Sequence, residues 1–427
     1  MRRLLKNKRV LADCHIYQML KKAAKSKHVS FHTPGHKRGK WDVTELSFSD
    51  NLASPRGCIA RAQADIARIL GANAAYIITD GSTIGVLSML FTAKNAGVKR
   101  LAVFQNAHKS VFNGCAALGI SPVVISNRSK DGIPIAVTLA EVEGVEADAL
   151  MLTSPDYYGN IPDLQAIRTY CDERNMLLLI DGAHGGHLHN EKPFYAGTYA
   201  DLWVDGVHKS LPALTQGAVV CAKSAALANG LNTAVNIFRT SSPSYPIMAS
   251  VEYAVKYPKN EWLEEQVLDW KKAEKRLQVG EDWTKVCAVF GKNAFTVNEK
   301  LQSEGIYAEF CDGNVVMFYL SPATKKREFF LLKKRLSALF EKYSYEAVED
   351  VPAPLFLQKT GEKVWIEIEK SEGQVCAENC GLFPPCTPLL CVGEVITKEK
   401  IALLQKADNV FGLKENKISV FKTKEEE

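Results

Sequence analysis

The first half of the chain alternates short apolar runs with segments of helical periodicity, and this alternation restricts the fold more than any other feature. Helical patterns cover residues 83–93 and 164–175. Strands that are apolar along their whole length are typical of parallel sheets, because helices cover both faces of such a sheet. The sequence therefore predicts an α/β domain with a mainly parallel sheet from about residue 50 to about residue 235. The runs that predict strands are 74–79, 101–104, 122–125, 149–153, 177–180, 202–204 and 218–220.

The pattern changes after residue 246 to a mixture of short strands and helices. Residues 261–278 carry apolar positions at helical spacing, which predicts a long connecting helix. Strands are predicted at 315–320 and 364–368, and helices at 327–343 and 396–407, which indicates a smaller α+β region. The predicted division of the chain is an N-terminal segment over 1–50, a large domain over 51–245, a connecting helix and small domain over 246–345, and a C-terminal domain over 346–427.

Composition and charge exclude several classes of partner. The chain has 427 residues, of which 46% are hydrophobic, and this is enough apolar material for more than one core. Its 53 basic and 48 acidic side chains leave a net charge of only +5, which does not favour a nucleic-acid partner. No apolar run reaches the length of a signal-peptide core or a membrane span, so we expect no membrane partner and a cytoplasmic location.

The eleven cysteines favour reduced thiols over a disulfide framework, because their number is odd and no signal peptide is recognisable. Four of them lie close together near the C-terminus, at positions 376, 380, 386 and 391. Their spacing lacks the paired CxxC units of zinc sites, and most adjoin apolar or proline residues. We therefore expect small apolar core cysteines and no metal site.

Lys209 and Asp181 each follow a predicted strand. Asp181 ends the apolar run LLLID, and Lys209 lies in the segment VHKSLPALTQ that begins at Val207. Pyridoxal phosphate needs an amine that forms a Schiff base and a carboxylate that keeps the pyridine nitrogen protonated. This pair therefore predicts pyridoxal phosphate as the cofactor. The alternative for Asp181 is a helix N-cap together with Gly182.

Two further segments follow strands on the same predicted sheet edge. Ser82 and Thr83 open a helix after Gly81, where backbone N–H groups, hydroxyls and the helix dipole suit a phosphate group. The alternative is a plain helix cap. His108 follows the next strand, where its flat imidazole could stack on a heteroaromatic ring or could be structural.

Together these segments resemble the Orn/Lys/Arg decarboxylase family, which consists of fold type I enzymes that use pyridoxal phosphate to remove CO2 from basic amino acids. The matching blocks occur in the family's order and span almost the whole chain, as in short members without the N-terminal wing domain. They are FHTPGHK (31–37), GST (81–83), HKS (108–110), SPDYYG (154–159), DGAHG (181–185), HKSLPALTQ (208–216), TSSPSY (240–245), VCAEN (375–379), FPP (383–385), PLL (388–390) and GE (393–394).

The resemblance implies a role for each cofactor-binding position. Lys209 would form the Schiff base, and Asp181 would pair with the pyridine nitrogen. His108 would stack on one face of the ring, and Ala183 would pack against the other. The phosphate would be held by Ser82, Thr83 and His208.

The resemblance also implies a reaction and a substrate class. A proton from Lys209 or His208 would return to Cα after CO2 leaves, and the product would be agmatine or a diamine. A small basic amino acid needs an acidic partner for its distal cation, and the candidates are Glu378, Asp156 and Glu394. The resemblance places His32 and His36 near the entrance to the active site, with His36 a further substrate candidate, and implies a homodimer that builds the site across its interface.

Several positions depart from the family's pattern. Gly182 stands where an acidic residue is common, and Gly206 stands where a serine is common. Loss of that serine's hydrogen bond to phosphate would weaken cofactor binding by about 1 to 2 kcal/mol if nothing compensates. Val207 replaces a threonine, Gln105 an arginine and Cys386 a glycine.

Two alternatives remain open from the sequence. An aminotransferase or lyase of the same fold is one, although aminotransferases often bind the substrate carboxylate with a C-terminal-domain arginine. No arginine follows Arg335 here, but Arg239 could serve. The other alternative is a relative that binds pyridoxal phosphate but has lost turnover, which Gly182 and Gly206 would allow.

Overall fold

A computed structural model describes residues 5–27, 29–37, 41–345, 355, 361–382, 386–406 and 409–422. The FPP block at 383–385 lies outside the described residues. The strands within the described ranges are β1 (Ala74–Ile78), β2 (Arg100–Phe104), β3 (Ser121–Ile125), β4 (Ser129–Lys130), β5 (Ile133–Pro134), β6 (Ala149–Thr153), β7 (Leu177–Asp181), β8 (Leu202–Asp205), β9 (Ala218–Ala222), β10 (Lys285–Val289), β11 (Phe310–Cys311), β12 (Val315–Tyr319), β13 (Lys363–Glu367), β14 (Cys380–Leu382), β15 (Pro388–Leu390), β16 (Val410–Phe411), β17 (Leu413–Lys414) and β18 (Lys417–Phe421).

Helices connect these strands and cover the sheet faces. Those described are α1 (Lys8–Ala12), α2 (His15–Lys25), α3 (Cys58–Leu70), α4 (Ser82–Asn95), α5 (Lys109–Leu118), α6 (Leu139–Val142), α7 (Leu164–Glu173), α8 (Ala196–Tyr199), α9 (Val207–Ser210), α10 (Ala225–Phe238), α11 (Tyr245–Val255), α12 (Glu261–Ala273), α13 (Ala294–Ser303), α14 (Lys326–Lys342) and α15 (Lys398–Lys406). None of the helices in the described ranges is both long enough and apolar enough to cross a bilayer.

A seven-stranded sheet forms the centre of the molecule, in the order β1-β9-β8-β7-β6-β2-β3. The pairs from β8 to β3 are parallel. Strand β9 is antiparallel to both of its neighbours, so it alone runs against the other six. All seven strands overlap the apolar runs in the sequence, and the predicted mainly parallel α/β domain is confirmed.

Alternate residues of the strands enter two separate cores. Along β7, Leu178 and Ile180 belong to the core on one face, and Leu179 belongs to the core on the other. Trp203 and Val204 divide in the same way along β8. Burial on both faces explains why these strands are apolar at every position rather than at every second one.

The second half of the chain forms smaller units with their own cores. The sheet β10-β12-β11 packs with α12, α13 and α14 around a core that includes Phe290, Phe329 and Trp283. The C-terminal part contains the sheets β13-β18-β17 and β15-β14-β16. The predicted domain limits at 50, 245 and 345 stay predictions.

The long connecting helix predicted over 261–278 is wrong in its length. The helix α12 ends at Ala273, because Glu274 adopts an extended backbone and its side chain accepts a hydrogen bond from the backbone N–H of Arg276. A short 3-10 turn over Lys275–Leu277 follows. Leu277 is nevertheless buried in the core around the sheet β10-β12-β11. The apolar spacing therefore predicted which side chains are buried, but it did not predict where the helix ends.

Helix α4 approaches the sheet closely at Gly85. A Cβ atom at this position would overlap Cγ2 of Val204 in β8. We expect Gly85→Ala to lower the free energy of unfolding by about 1–3 kcal/mol, because an overpacked core must shift side chains or backbone. Urea denaturation measures this change. The double variant Gly85→Ala/Val204→Ala should be less destabilised than the sum of the two single variants, and simple additivity would contradict the close contact.

Candidate active site

One edge of the central sheet carries the polar side chains that the sequence singled out. The strands β1, β2, β7 and β8 run in the same direction, so their carboxyl ends meet there. Asp181 is the last residue of β7, and Lys209 lies in the short helix α9 that follows β8. Ser82 begins α4 after β1, and His108 is the N-cap of α5 after β2. The loops after these four strands therefore converge.

A cavity of about 500 Å³ opens at this edge. All seven residues predicted to bind the cofactor line it: Ser82, Thr83, His108, Asp181, Ala183, His208 and Lys209. The remaining lining residues are Gly81, Val86, Asn106, Ser110, Thr153, Tyr157, His184, Thr215, Gln216, Glu309, Tyr319, Cys386 and Thr387. Glu309 and Tyr319 come from the unit that contains the sheet β10-β12-β11, and Cys386 and Thr387 come from the C-terminal part.

Asp181 is a buried carboxylate with an incomplete set of partners. Only 4% of the residue is exposed, and Oδ1 accepts a hydrogen bond of 3.1 Å from the backbone N–H of Ala183. Burial raises the pKa of Asp181, while the charge of Lys209 acts against this shift. No ion pair in the described part of the chain includes Asp181. A protonated pyridine nitrogen would supply the missing cationic donor, so the residue fits pyridoxal phosphate.

The start of α4 fits the phosphate group. Neither Ser82 nor Thr83 makes a side-chain cap to the helix, and no hydrogen bond joins either hydroxyl to another described residue. The 14-residue helix places unpaired N–H groups and its positive dipole end toward the cavity. Gly81 has a φ of +82°, a backbone conformation that favours glycine, and its N–H donates to the carbonyl of Gln216 at 2.9 Å. An anion is the ligand that such a helix end prefers.

Two histidines from the predicted set are held by neighbouring groups. His108 Nδ1 lies 2.8 Å from Ser110 Oγ, and burial lowers the pKa of His108 to about 4. The ring therefore stays neutral at physiological pH, so it could stack on a protonated heteroaromatic ring without charge repulsion. His208 Nδ1 donates to the carbonyl of Gly217 at 2.9 Å, and burial lowers its pKa as well.

His184 is a residue to which sequence reasoning gave no role. Its Nε2 lies 3.0 Å from Nζ of Lys209, while its buried Nδ1 has no hydrogen-bond partner in the described ranges. The rings of Tyr157 and Tyr319 meet the imidazole edge-on, at centroid distances of 5.0 and 5.5 Å. Burial and the charge of Lys209 lower the pKa of His184 far below its usual value. The signal was its place in the DGAHG block, three residues after Asp181.

The backbone of Cys386 has a conformation that suits the glycine of the family pattern. Its φ is +64°, in the left-handed region that favours glycine, which is the residue the family has there. Its carbonyl accepts a hydrogen bond of 2.9 Å from the backbone N–H of Lys109, next to His108. Of the other three cysteines in the C-terminal cluster, Cys376 and Cys380 are buried in the C-terminal core and Cys391 is buried at the edge of the sheet core.

The residues predicted to contact the substrate do not line the cavity of this chain. Asp156 is buried, and its Oδ1 accepts hydrogen bonds from the backbone N–H groups of Tyr158 and Asn160. Glu378 is half-exposed, 3.9 Å from Lys363. His36 is exposed and lies 3.1 Å from Asp42. Asp156 therefore stabilises a turn, and the other two belong to surface pairs.

Glu394 and Arg239 also lie outside the cavity. The carboxylate of Glu394 is buried and forms an ion pair with Lys400, and its Oε2 accepts a hydrogen bond of 3.1 Å from Gln105. Arg239 bonds to Asn236 within its own helix end. No arginine is among the described residues that line the cavity.

Packing accounts for both glycines that depart from the family pattern. A Cβ on Gly206 would lie 2.6 Å from the carbonyl oxygen of Ala183, which is too close for any side chain. A Cβ on Gly182 would lie 2.9 Å from Oδ1 of Asp205 and 3.0 Å from the carbonyl oxygen of Val204. Asp205 is fully buried and accepts a 2.6 Å hydrogen bond from Tyr195. A carboxylate from the neighbouring strand thus occupies the space beside Gly182.

Comparison with known proteins agrees with this geometry. The profile of the Orn/Lys/Arg decarboxylase major domain matches residues 40–279, more than half of the chain. The chain belongs to the Orn/Lys/Arg decarboxylase family. It is 28% identical to the YaaO protein of Bacillus subtilis over 96% of this chain and 97% of that protein. It is 25% identical to an arginine decarboxylase of Halalkalibacterium halodurans over 90% of this chain and 91% of that protein.

Solved structures show the same fold. The constitutive lysine decarboxylase of Escherichia coli superposes with a TM-score of 0.76 at 18% sequence identity, over 96% of this chain and 82% of that one. The fold is therefore fold type I, and the family identifies the protein as an amino acid decarboxylase that depends on pyridoxal phosphate. The cofactor predicted from Lys209 and Asp181 is confirmed at the level of the family.

The contact between His184 and Lys209 should affect the pKa of the lysine. A neutral imidazole that accepts a hydrogen bond from an ammonium group stabilises the charged form. In cofactor-free protein, His184→Phe should therefore lower the pKa of Lys209 by about one to two pH units, since such a bond contributes about 1.5–3 kcal/mol. The pH dependence of Lys209 acylation, followed by peptide mass spectrometry, measures this pKa. His208→Phe is the control and should leave it unchanged, and an unchanged value in His184→Phe would show that the contact is unimportant.

The packing at Gly182 predicts that the acidic residue common in the family is not tolerated here. We expect Gly182→Glu to lower the free energy of unfolding by more than about 2 kcal/mol, because the side chain overlaps Asp205 and buries a second carboxylate beside it. Urea denaturation, with Gly182→Ala for comparison, measures the effect. Gly182→Glu/Asp205→Ala should recover part of the loss, whereas wild-type stability in Gly182→Glu would refute this account.

Proposed function

We propose that this protein decarboxylates a basic amino acid, which is arginine, lysine or ornithine, to agmatine or a diamine. The observation that carries the proposal is the pair formed by Lys209 and the cation-free carboxylate of Asp181 in one cavity of a family member. Relatives named arginine decarboxylase and lysine decarboxylase support a basic substrate. Agmatine and diamines are polyamine precursors, so we place the reaction in polyamine biosynthesis.

The residues of the cavity divide the work of the reaction. Nζ of Lys209 would hold the cofactor through its aldehyde carbon. The bound cofactor supplies an electron sink for the bond between Cα and the carboxylate. Asp181 would keep the pyridine nitrogen protonated, and Ser82 and Thr83, with His208, would hold the phosphate.

Two side chains of the cavity can return a proton to Cα. One donor is Nζ of Lys209, and the other is His208. His184 Nε2, 3.0 Å from Lys209 Nζ, accepts a hydrogen bond from the lysine and keeps its amine near that position. Because burial keeps His184 neutral, it can hold the lysine without adding a second positive charge.

The absence of arginine among the described lining residues favours decarboxylation over amino-group transfer. An arginine that clamps the α-carboxylate stabilises the ground state from which CO2 must leave, and this raises the barrier to its loss. The family match favours the same choice over a lyase or a relative without turnover.

We also propose a cytoplasmic homodimer. Phe31, in the first family block, is 92% exposed in the single chain, and Val29 beside it is 79% exposed. A second subunit that covered this segment would remove a large apolar side chain from water. A fully active monomer in light scattering would contradict the dimer.

The proposed reaction is tested by a product screen. We expect the protein loaded with pyridoxal phosphate to release CO2 and the matching amine from at least one of arginine, lysine and ornithine, detected by mass spectrometry. Lys209→Ala should lose this activity by several orders of magnitude, because the Schiff-base amine is gone. Amino-group transfer to a 2-oxo acid without CO2 release would contradict the proposal.

A further inference from the structure

Glu309 is the only acidic side chain besides Asp181 among the described residues that line the cavity. It directly precedes β11 in the small domain, and its backbone N–H donates to the carbonyl of Met317 at 2.8 Å. Its Oε1 accepts a hydrogen bond of 3.2 Å from the hydroxyl of Tyr157. The small sheet thus fixes the backbone, and a residue of the large domain orients the carboxylate.

The negative charge of Glu309 has no cationic partner within ion-pair distance among the described residues. Asp282 and Asp312, which do not line the cavity, are already engaged. Asp282 lies 2.9 Å from Nε2 of His187 and 3.2 Å from Nζ of Lys285, and Asp312 accepts a 2.6 Å hydrogen bond from Tyr158. Glu309 is therefore the carboxylate left to neutralise a cation that enters the cavity.

Aromatic rings complete the surroundings of Glu309. Tyr157 and Tyr319 both line the cavity, with ring centroids 5.7 Å apart. The Tyr319 ring already holds a cation on one side, since Lys285 Nζ lies 4.3 Å from its centroid. A carboxylate beside tyrosine rings is a chemical setting that binds ammonium and guanidinium groups and that offers nothing to an apolar side chain.

We propose that Glu309, oriented by Tyr157, binds the distal cation of the substrate and selects basic amino acids over neutral ones of similar length. This inference rests on the proposed function and adds the residue that determines its substrate class. The charge on Glu309 also acts on Lys209 at the reacting end, because burial lowers the pKa of the lysine and the charges of Asp181 and Glu309 oppose this shift. The two ends of one amino acid would then lie at Lys209 and at Glu309.

The test is a binding cycle on the protein loaded with pyridoxal phosphate. Calorimetry compares cadaverine with pentylamine and agmatine with butylamine, so that each pair differs by one distal cation. In the wild type, the cation should improve affinity by about 10-fold or more, which corresponds to about 1.4 kcal/mol. In Glu309→Gln this advantage should disappear for both ammonium and guanidinium ligands, while pentylamine and butylamine bind as before.

Two further variants make the result specific. Glu299→Gln removes an exposed carboxylate of α13, outside the cavity, and should keep the full preference. Tyr157→Phe retains the ring but removes the hydroxyl that orients Glu309, and should give a partial loss. In turnover, Glu309→Gln should raise KM for the basic substrate far more than it lowers kcat.

The outcomes separate this inference from the proposed function. If Glu309→Gln still prefers cadaverine and agmatine as strongly as the wild type, the inference is overturned although decarboxylation continues. If the wild type decarboxylates none of the three basic amino acids, the proposed function fails. A loss of preference in Glu299→Gln equal to that in Glu309→Gln would also overturn the inference, because net charge alone would then explain it.

Discussion

The common direction of six strands in the central sheet is the constraint on which the rest of the structure depends. Only β9 is reversed, so β1, β2, β6, β7 and β8 all end at one edge. Each of these ends leads into a side chain of the active site, and α4 begins there with its N-terminus toward the cavity. A helix N-terminus, a carboxylate and an amine converge because parallel strands deliver their carboxyl ends to the same place.

Burial sets the charge states of the side chains at this edge of the sheet. Asp181 is taken out of water without a cationic partner, which is costly unless a cofactor supplies one. His108 and His184 are kept neutral by burial near Lys209, so positive charge does not accumulate around the amine. Burial also lowers the pKa of Lys209, which makes its neutral, nucleophilic form more accessible. Desolvation is thus the main cause of the pKa shifts of the amine, the imidazole rings and the carboxylate.

The packing around Gly182 and Gly206 explains why these positions depart from the family pattern. Gly206 cannot carry a side chain, because Ala183 places a carbonyl oxygen where a Cβ would be. Gly182 is small because Asp205, buried on the adjacent strand, fills the space beside it. Cys386 keeps the left-handed backbone of a glycine. Gly182 and Gly206 therefore each have a neighbour that explains the missing side chain, and Lys209 and Asp181 still line one cavity.

Sequence alone determined the sheet and the cofactor, and it predicted seven cofactor-binding residues that the structure brings into one cavity. It could do so because apolar strands, strand-end polar residues and family blocks are all local in the chain. It predicted Asp156 and Glu378 as substrate contacts, yet their carboxylates bond to a turn and to a surface lysine. Only the tertiary structure brought Glu309 to the cavity, 100 residues beyond Lys209 in another domain, and set His184 against that lysine. Such contacts depend on how separate parts of the chain pack against one another, and a local sequence pattern does not predict this packing.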